Sequence, residues 1–177
     1  MMKKPSRTMP KYVEKPSGFS GKLILVALVC LVAWLMWTYP LTLAMIPIVM
    51  ILEVRDRMFR KKHFENLLKD READSIGTFS RHFEFRKIDT WVIRAVYEQL
   101  QAYMTPVRKS FPIRPDDDVF KDLLIDDEDF DLDIIEEIAE RTGRSLEHIE
   151  SNPYYGKASV VENLVYFFNE QPEVNPT

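Results

Sequence analysis

A chain of 177 residues with 24 Lys and Arg against 28 Asp and Glu has room for one small folded domain plus linkers and short segments. The formal net charge of −4 conceals a polarity: the chain is basic up to Arg71 and acidic after Pro115. A single cysteine, Cys30, excludes an intramolecular disulfide, and five glycines leave little for a phosphate-cradling loop.

Residues 1–21 are rich in Pro, Ser and Lys and are expected to form a disordered basic leader. From Leu23 to Leu52 no side chain is charged. Because one Asp, Lys or Arg at a bilayer centre costs roughly 3 kcal/mol, such a run predicts a transmembrane segment over residues 22–53. The cluster Trp37-Thr38-Tyr39-Pro40 and basic flanks on both sides favour a helical hairpin over one long span. The localisation expected from this is integral membrane, the bacterial inner membrane, with the C-terminal part cytoplasmic.

Residues 54–87 read as a basic juxtamembrane helix and a connector. Arg55, Arg57, Arg60, Lys61 and Lys62 are its candidate contacts to anionic lipid, each cation contributing about 1 kcal/mol. The membrane is thus one expected partner. Nucleic acid is not, since this basic stretch adjoins the apolar run. Asp74–Arg86 is expected to be a short connector.

From Thr90 the apolar positions recur at helical spacing: Val92, Ile93, Val96, Leu100, Tyr103 and Met104, with Pro106 closing the segment. A loop anchored by Phe111, Ile113, Val119, Phe120, Leu123 and Leu124 follows. A second helix is predicted from about Asp131 to Arg141, with Leu132, Ile135, Ile138 and Ala139 on its buried face and Gly143 just past its end. A short helical piece covers 146–150. The last helix starts after Ser159, whose hydroxyl and Glu162 form a capping box. The fold class is all-α: a transmembrane helical hairpin or one long span, then a small four-helix domain over residues 88–171 and a tail, 172–177.

Between Asp116 and Glu140 thirteen carboxylates face one cation, Lys121. Acids in the first turn of a helix complement its positive end, but this excess also orients basic partners. The helix order and the stretch Phe130-Asp131-Leu132-Asp133, continuing Ile134-Ile135-Glu136-Glu137, resemble an acyl carrier protein over about half the chain. In that family the second helix opens Asp-Ser-Leu. The serine carries phosphopantetheine, and the acidic helix binds basic patches on partner enzymes. Here Asp131 stands at the serine position, so the resemblance implies docking without the covalent arm. Asp131, Asp133, Glu136, Glu137 and Glu140 would form the docking face for a protein with a basic patch.

Other chemistries find less support. Asp74-Ser75-Ile76 is a second Asp-Ser-aliphatic triplet, but lacks the acidic helix after it, so Ser75 reads as a local cap. Asp129, Asp131, Asp133, Glu137 and Glu140 match five positions of a twelve-residue calcium loop. Ile134 replaces the glycine that its sharp turn needs. His63, His82 and His148 are each isolated from other metal-ligand types at useful spacings. No catalytic, cofactor or metal site is expected. The chain reads as a non-enzymatic membrane-anchored adaptor or regulatory subunit. The alternatives are an assembly subunit acting through its hairpin, or a true carrier modified at Ser75.

Overall fold

The computed structural model describes residues 19–38 and 45–174. They fall into two compact units, residues 19–66 in one and 67–174 in the other. Among the described residues the chain is mostly helical and contains no strand.

The first unit holds α1 (Phe19–Thr38) and most of α2 (Met45–Leu68). Pro47 lies in the first turn of α2, where its missing N–H has no intrahelical acceptor to lose. The expected membrane anchor is not found: among the described residues no helix is long and apolar enough to cross a membrane. The apolar run is divided between two helices. The uncharged part of α1, from Leu23 to Thr38, spans about 24 Å at 1.5 Å per residue, short of a hydrocarbon core of about 30 Å. In α2 the uncharged part, Met45 to Leu52, spans only about 12 Å before Glu53, Arg55, Asp56 and Arg57 follow within the same helix. Both the hairpin and the single span are therefore overturned, and with them the integral-membrane localisation. Tyr39 and Pro40 of the mid-run cluster and residues 1–18 of the leader lie outside the described residues.

The second unit is built around α4 (Thr90–Tyr103), which packs against α3 (Ile76–Arg81), α6 (Glu136–Thr142) and α7 (Val161–Glu170). Ahead of α6 and continuous with it come a single turn, α5 (Asp127–Asp129), and a π-helical turn, Phe130–Ile135. A 3₁₀ turn, Ile149–Ser151, stands where a short helix was expected at 146–150. Asp89 caps α4, its Oδ1 accepting from the Trp91 N–H at 2.9 Å. The side of α4 carrying Val92, Val96 and Leu100 is fully buried, as are Ile134, Ile138, Leu164, Val165 and Phe168. The helical unit also begins earlier than Ile88. The expected connector contains α3, whose Phe79 is buried and touches Tyr97 of α4, ring centroids 5.1 Å apart.

The start of α7 departs from the expected capping box. Its N-cap is Val160, without a side-chain cap bond. The Val161 and Glu162 N–H groups instead donate to the carbonyls of Asp117 and Pro115, at 2.9 and 2.8 Å. A passing loop therefore satisfies the orphan amides that a serine would satisfy in a local cap. A side-chain cap is worth roughly 1 kcal/mol. Burying Val161, Leu164, Val165, Phe167 and Phe168 is worth about 1.5–3 kcal/mol each. Packing decides that α7 forms, and the loop decides where it starts.

Gly143 closes α6 in the left-handed region, φ 66°, as its position predicts. Arg144 next to it reaches the far end of α7. Its Nη1 donates to the carbonyls of Asn169 and Gln171 at 3.3 and 2.6 Å, and its Nη2 lies 3.3 Å from Asp89 Oδ2. One guanidinium thus caps the C-terminal carbonyls of α7 and ties them to the N-cap of α4.

Candidate docking face

The acidic helix begins at Asp127, about one turn earlier than the sequence suggests, with Asp127, Glu128 and Asp129 in its first turn. Within the π turn backbone bonds run i→i+5 rather than i→i+4, which changes which residues face the core. Phe130 and Ile134 join Ile138 and Ala139 inside. Leu132, expected inside, is 56 % exposed, and Ile135 is only half-buried. Of the predicted docking residues, Asp131, Asp133, Glu136 and Glu140 are exposed and Glu137 is half-buried. Leu132 consequently stands on the surface between two exposed carboxylates.

Not every acid in the run is available to a partner. Asp117 pairs with Arg71 inside the unit. Asp118 accepts from the Phe120 and Lys121 amides at 3.0 Å and from Lys121 Nζ at 2.9 Å. Asp122 Oδ2 accepts from the Asp118 N–H, and Asp129 accepts from the Tyr103 hydroxyl. Structural duty therefore takes much of the 116–129 stretch, whereas Asp131, Asp133, Glu136 and Glu140 are exposed along the π turn and α6.

Burial pushes the Asp118 carboxyl upward, but Lys121 and the two amides outweigh it and hold the group below the ordinary carboxylate range. A depressed folded value gives stability that is present above the unfolded value of about 3.9 and is lost as pH falls through the folded one. Asp118→Asn is expected to lower the melting temperature at neutral pH, with the gap to wild type closing as the pH is taken below about 3.9. Thermal melts across an acid series check this. A gap that is independent of pH would show that the charge of Asp118 contributes nothing.

Three side chains of α4 hold this helix. Gln99 donates from Nε2 to the Asp133 carbonyl at 3.5 Å, and Tyr103, one turn on, donates to Asp129. Glu98 receives Arg141 from α6 and Arg94 from its own helix. Sequence reasoning missed all three as holders of the acidic helix. The only signal available was their spacing, since Gln99 and Tyr103 are four apart and share a helix face.

The candidate lipid contacts lie on α2 and are exposed. Arg57, Arg60 and Lys61 pair along the helix with Glu53, Asp56 and Glu65, at 3.0, 3.0 and 3.9 Å. That pairing reduces the net positive field of the stretch. Ser75 is the N-cap of α3, its N–H donating to Thr78 Oγ1 at 2.8 Å. The five calcium-loop candidates lie along a helix rather than in a loop. Among the described residues no group of three His, Cys, Asp or Glu side chains could hold a metal ion. His82, which looked isolated, lies 3.3 Å from Glu162.

No family model, curated protein or solved structure matches the chain, so the carrier-protein resemblance gains no support from outside the sequence.

Proposed function

We propose that the 67–174 unit is a non-enzymatic docking module. It takes a basic protein surface against the face made by Asp131, Leu132, Asp133, Glu136 and Glu140, with Glu137 at its edge. The observation that carries this reading is Leu132, 56 % exposed between two exposed carboxylates on a helix whose other side is core. An exposed apolar side chain ringed by like charge suits a contact in which the acids steer and orient and the leucine is desolvated. Asp131 at the family's serine position supports docking without a prosthetic arm.

Reversing Asp133, Glu136 and Glu140 together to Lys tests the reading. The affinity for the partner, identified by crosslinking from within 131–140, is expected to drop by more than tenfold, or about 1.4 kcal/mol. The helical circular dichroism should persist, and acidic substitutions in the partner's basic patch should restore binding. Undiminished capture by the folded triple variant would remove this face as the docking site.

A further inference from the structure

We infer that the basic surface met by the acidic face belongs to a second copy of this chain, with Leu132 of one copy seated in the groove between α3 and α4 of the next. The inference rests on the docking reading and names the partner which that reading leaves open. α3 meets α4 through Phe79, yet the two helices and the segment joining them also leave an open groove of about 360 Å3. That volume lies within the range of about 300–1,000 Å3 for sites that take small ligands. Ile93, lining the groove from α4, is 2 % exposed, whereas Ile76 and Phe85, which line it as well, are 40 % and 48 % exposed. Apolar area is thus left in water around a concavity, and a visiting apolar side chain would remove it. Leu132, exposed on the acidic face, is a side chain of that kind.

Charge selects the acidic face as the occupant. Arg94 lines the groove, and Arg81 and Arg86, both exposed, directly follow the lining residues Ser80 and Phe85. The carboxylates within residues 76–94 are Glu84 and Asp89, and both are engaged. Glu84 lies 2.8 Å from Lys87 Nζ, and Asp89 takes the Trp91 N–H and Arg144. Arg94 is balanced by Glu98. Arg81 and Arg86 therefore make up the surplus charge of the groove's own segment, as Asp131, Asp133, Glu136 and Glu140 do around Leu132. An apolar knob among carboxylates and an apolar groove beside arginines are complementary in polarity and in sign. The other basic stretch, on α2, is a poorer match, because its Arg57, Arg60 and Lys61 pair with acids of the same helix. The two faces share no residue, so the contact is heterologous. Each copy offers its knob to one neighbour and its groove to another, and assembly runs head to tail or closes as a ring.

Photo-crosslinking between two batches of the purified full-length chain tests this. The donor batch carries a benzoylphenylalanine in place of Leu132, and the receiving batch is labelled with a heavy isotope, so that crosslinks of mixed isotope are known to join two copies. Mass spectrometry is expected to place those crosslinks within residues 76–94 of the receiving copy. Asp133, Glu136 and Glu140 reversed to Lys in the donor should lower their yield by about tenfold or more, and Arg81→Glu with Arg86→Glu in the receiver should restore it. Phe85→Ala in the receiver should lower the yield as well, and because that exposed side chain is not part of the core, the loss is not one of folding. Mixed-isotope crosslinks that are absent, that fall outside 76–94 (on the basic stretch of α2, for instance), or that survive both the donor reversal and Phe85→Ala overturn the inference. Any of these results leaves the docking reading standing, because that reading fails only when charge reversal spares capture of the partner.

Discussion

Asp117→Ala is expected to destabilise the 67–174 unit by about 3–5 kcal/mol, because it leaves the Arg71 guanidinium buried without its carboxylate. Arg71 is 6 % exposed and Asp117 2 %. The pair is bidentate, Nη1 and Nη2 lying 2.7 and 2.6 Å from the two carboxylate oxygens. Asp117 also accepts from the Arg114 N–H at 2.8 Å, and Arg71 reaches the Pro112 carbonyl at 3.4 Å. These bonds fix the loop whose Pro115 and Asp117 carbonyls cap the start of α7, so the loss should spread to that helix. The pair itself is a poor source of net stability. Burial pushes the Asp117 carboxyl above the ordinary carboxylate value even against the pull of Arg71 and the Arg114 amide. Desolvation therefore outweighs pairing, and an apolar replacement of both partners should recover most of the loss. Arg71→Met with Asp117→Leu is expected to lie within about 1–3 kcal/mol of wild type, the residue being the Arg114 amide left unpaired. Urea denaturation of the single and double variants measures both. A single variant costing less than about 1 kcal/mol, within the range of an exposed pair, would show that the site is hydrated.

The parts of this fold that could be read from the chain are those where local pattern and tertiary packing agree. α4 was legible because Val92, Val96 and Leu100 keep helical spacing and the segment packs on three sides. α7 was legible from Leu164, Val165 and Phe168, and Gly143 from the left-handed turn it must adopt. Reading failed where a distant partner decides. The start of α7 is set by carbonyls more than forty residues away, so Ser159 and Glu162 formed a plausible but unused box. The acidic segment reads with the α period, whereas the structure holds one π turn in which Leu132 is exposed and Phe130 buried. Nothing in a list of apolar positions reveals such a turn. The Arg71–Asp117 pair spans two segments read separately as a basic stretch and an acidic run, which averages of charge cannot join. The apolar run Leu23–Leu52 was the strongest signal in the chain and the least reliable guide. Its length counts toward crossing a membrane only if one helix carries it, or if each half is long enough alone.

Phe79 is the sharpest test of how far the core extends. Residues 74–86 look like a connector by composition, since Gly77, the charges and the scattered aromatics show no sustained period. Yet α3 packs on α4, and Phe79 is 1 % exposed, with ring contacts to Phe83 at 5.2 Å and Tyr97 at 5.1 Å. Phe79→Ala is expected to cost about 3–5 kcal/mol, the usual loss for a large buried aromatic that leaves a cavity. Phe85, in the same stretch but 48 % exposed, supplies the contrast: Phe85→Ala should stay within about 0.5 kcal/mol of wild type, as surface substitutions do. Chemical denaturation of the two variants side by side separates the cases. The burial of Phe79 on α4 requires a large cost for one and almost none for the other. Equal, small losses would mean that α3 lies loosely on α4, and that the stable core starts at α4 after all. A large loss would place the boundary of the folded unit ahead of α3, in a segment whose composition gives no warning of it, because six residues are too few to establish a period and their stability comes from α4 rather than from their own helix propensity.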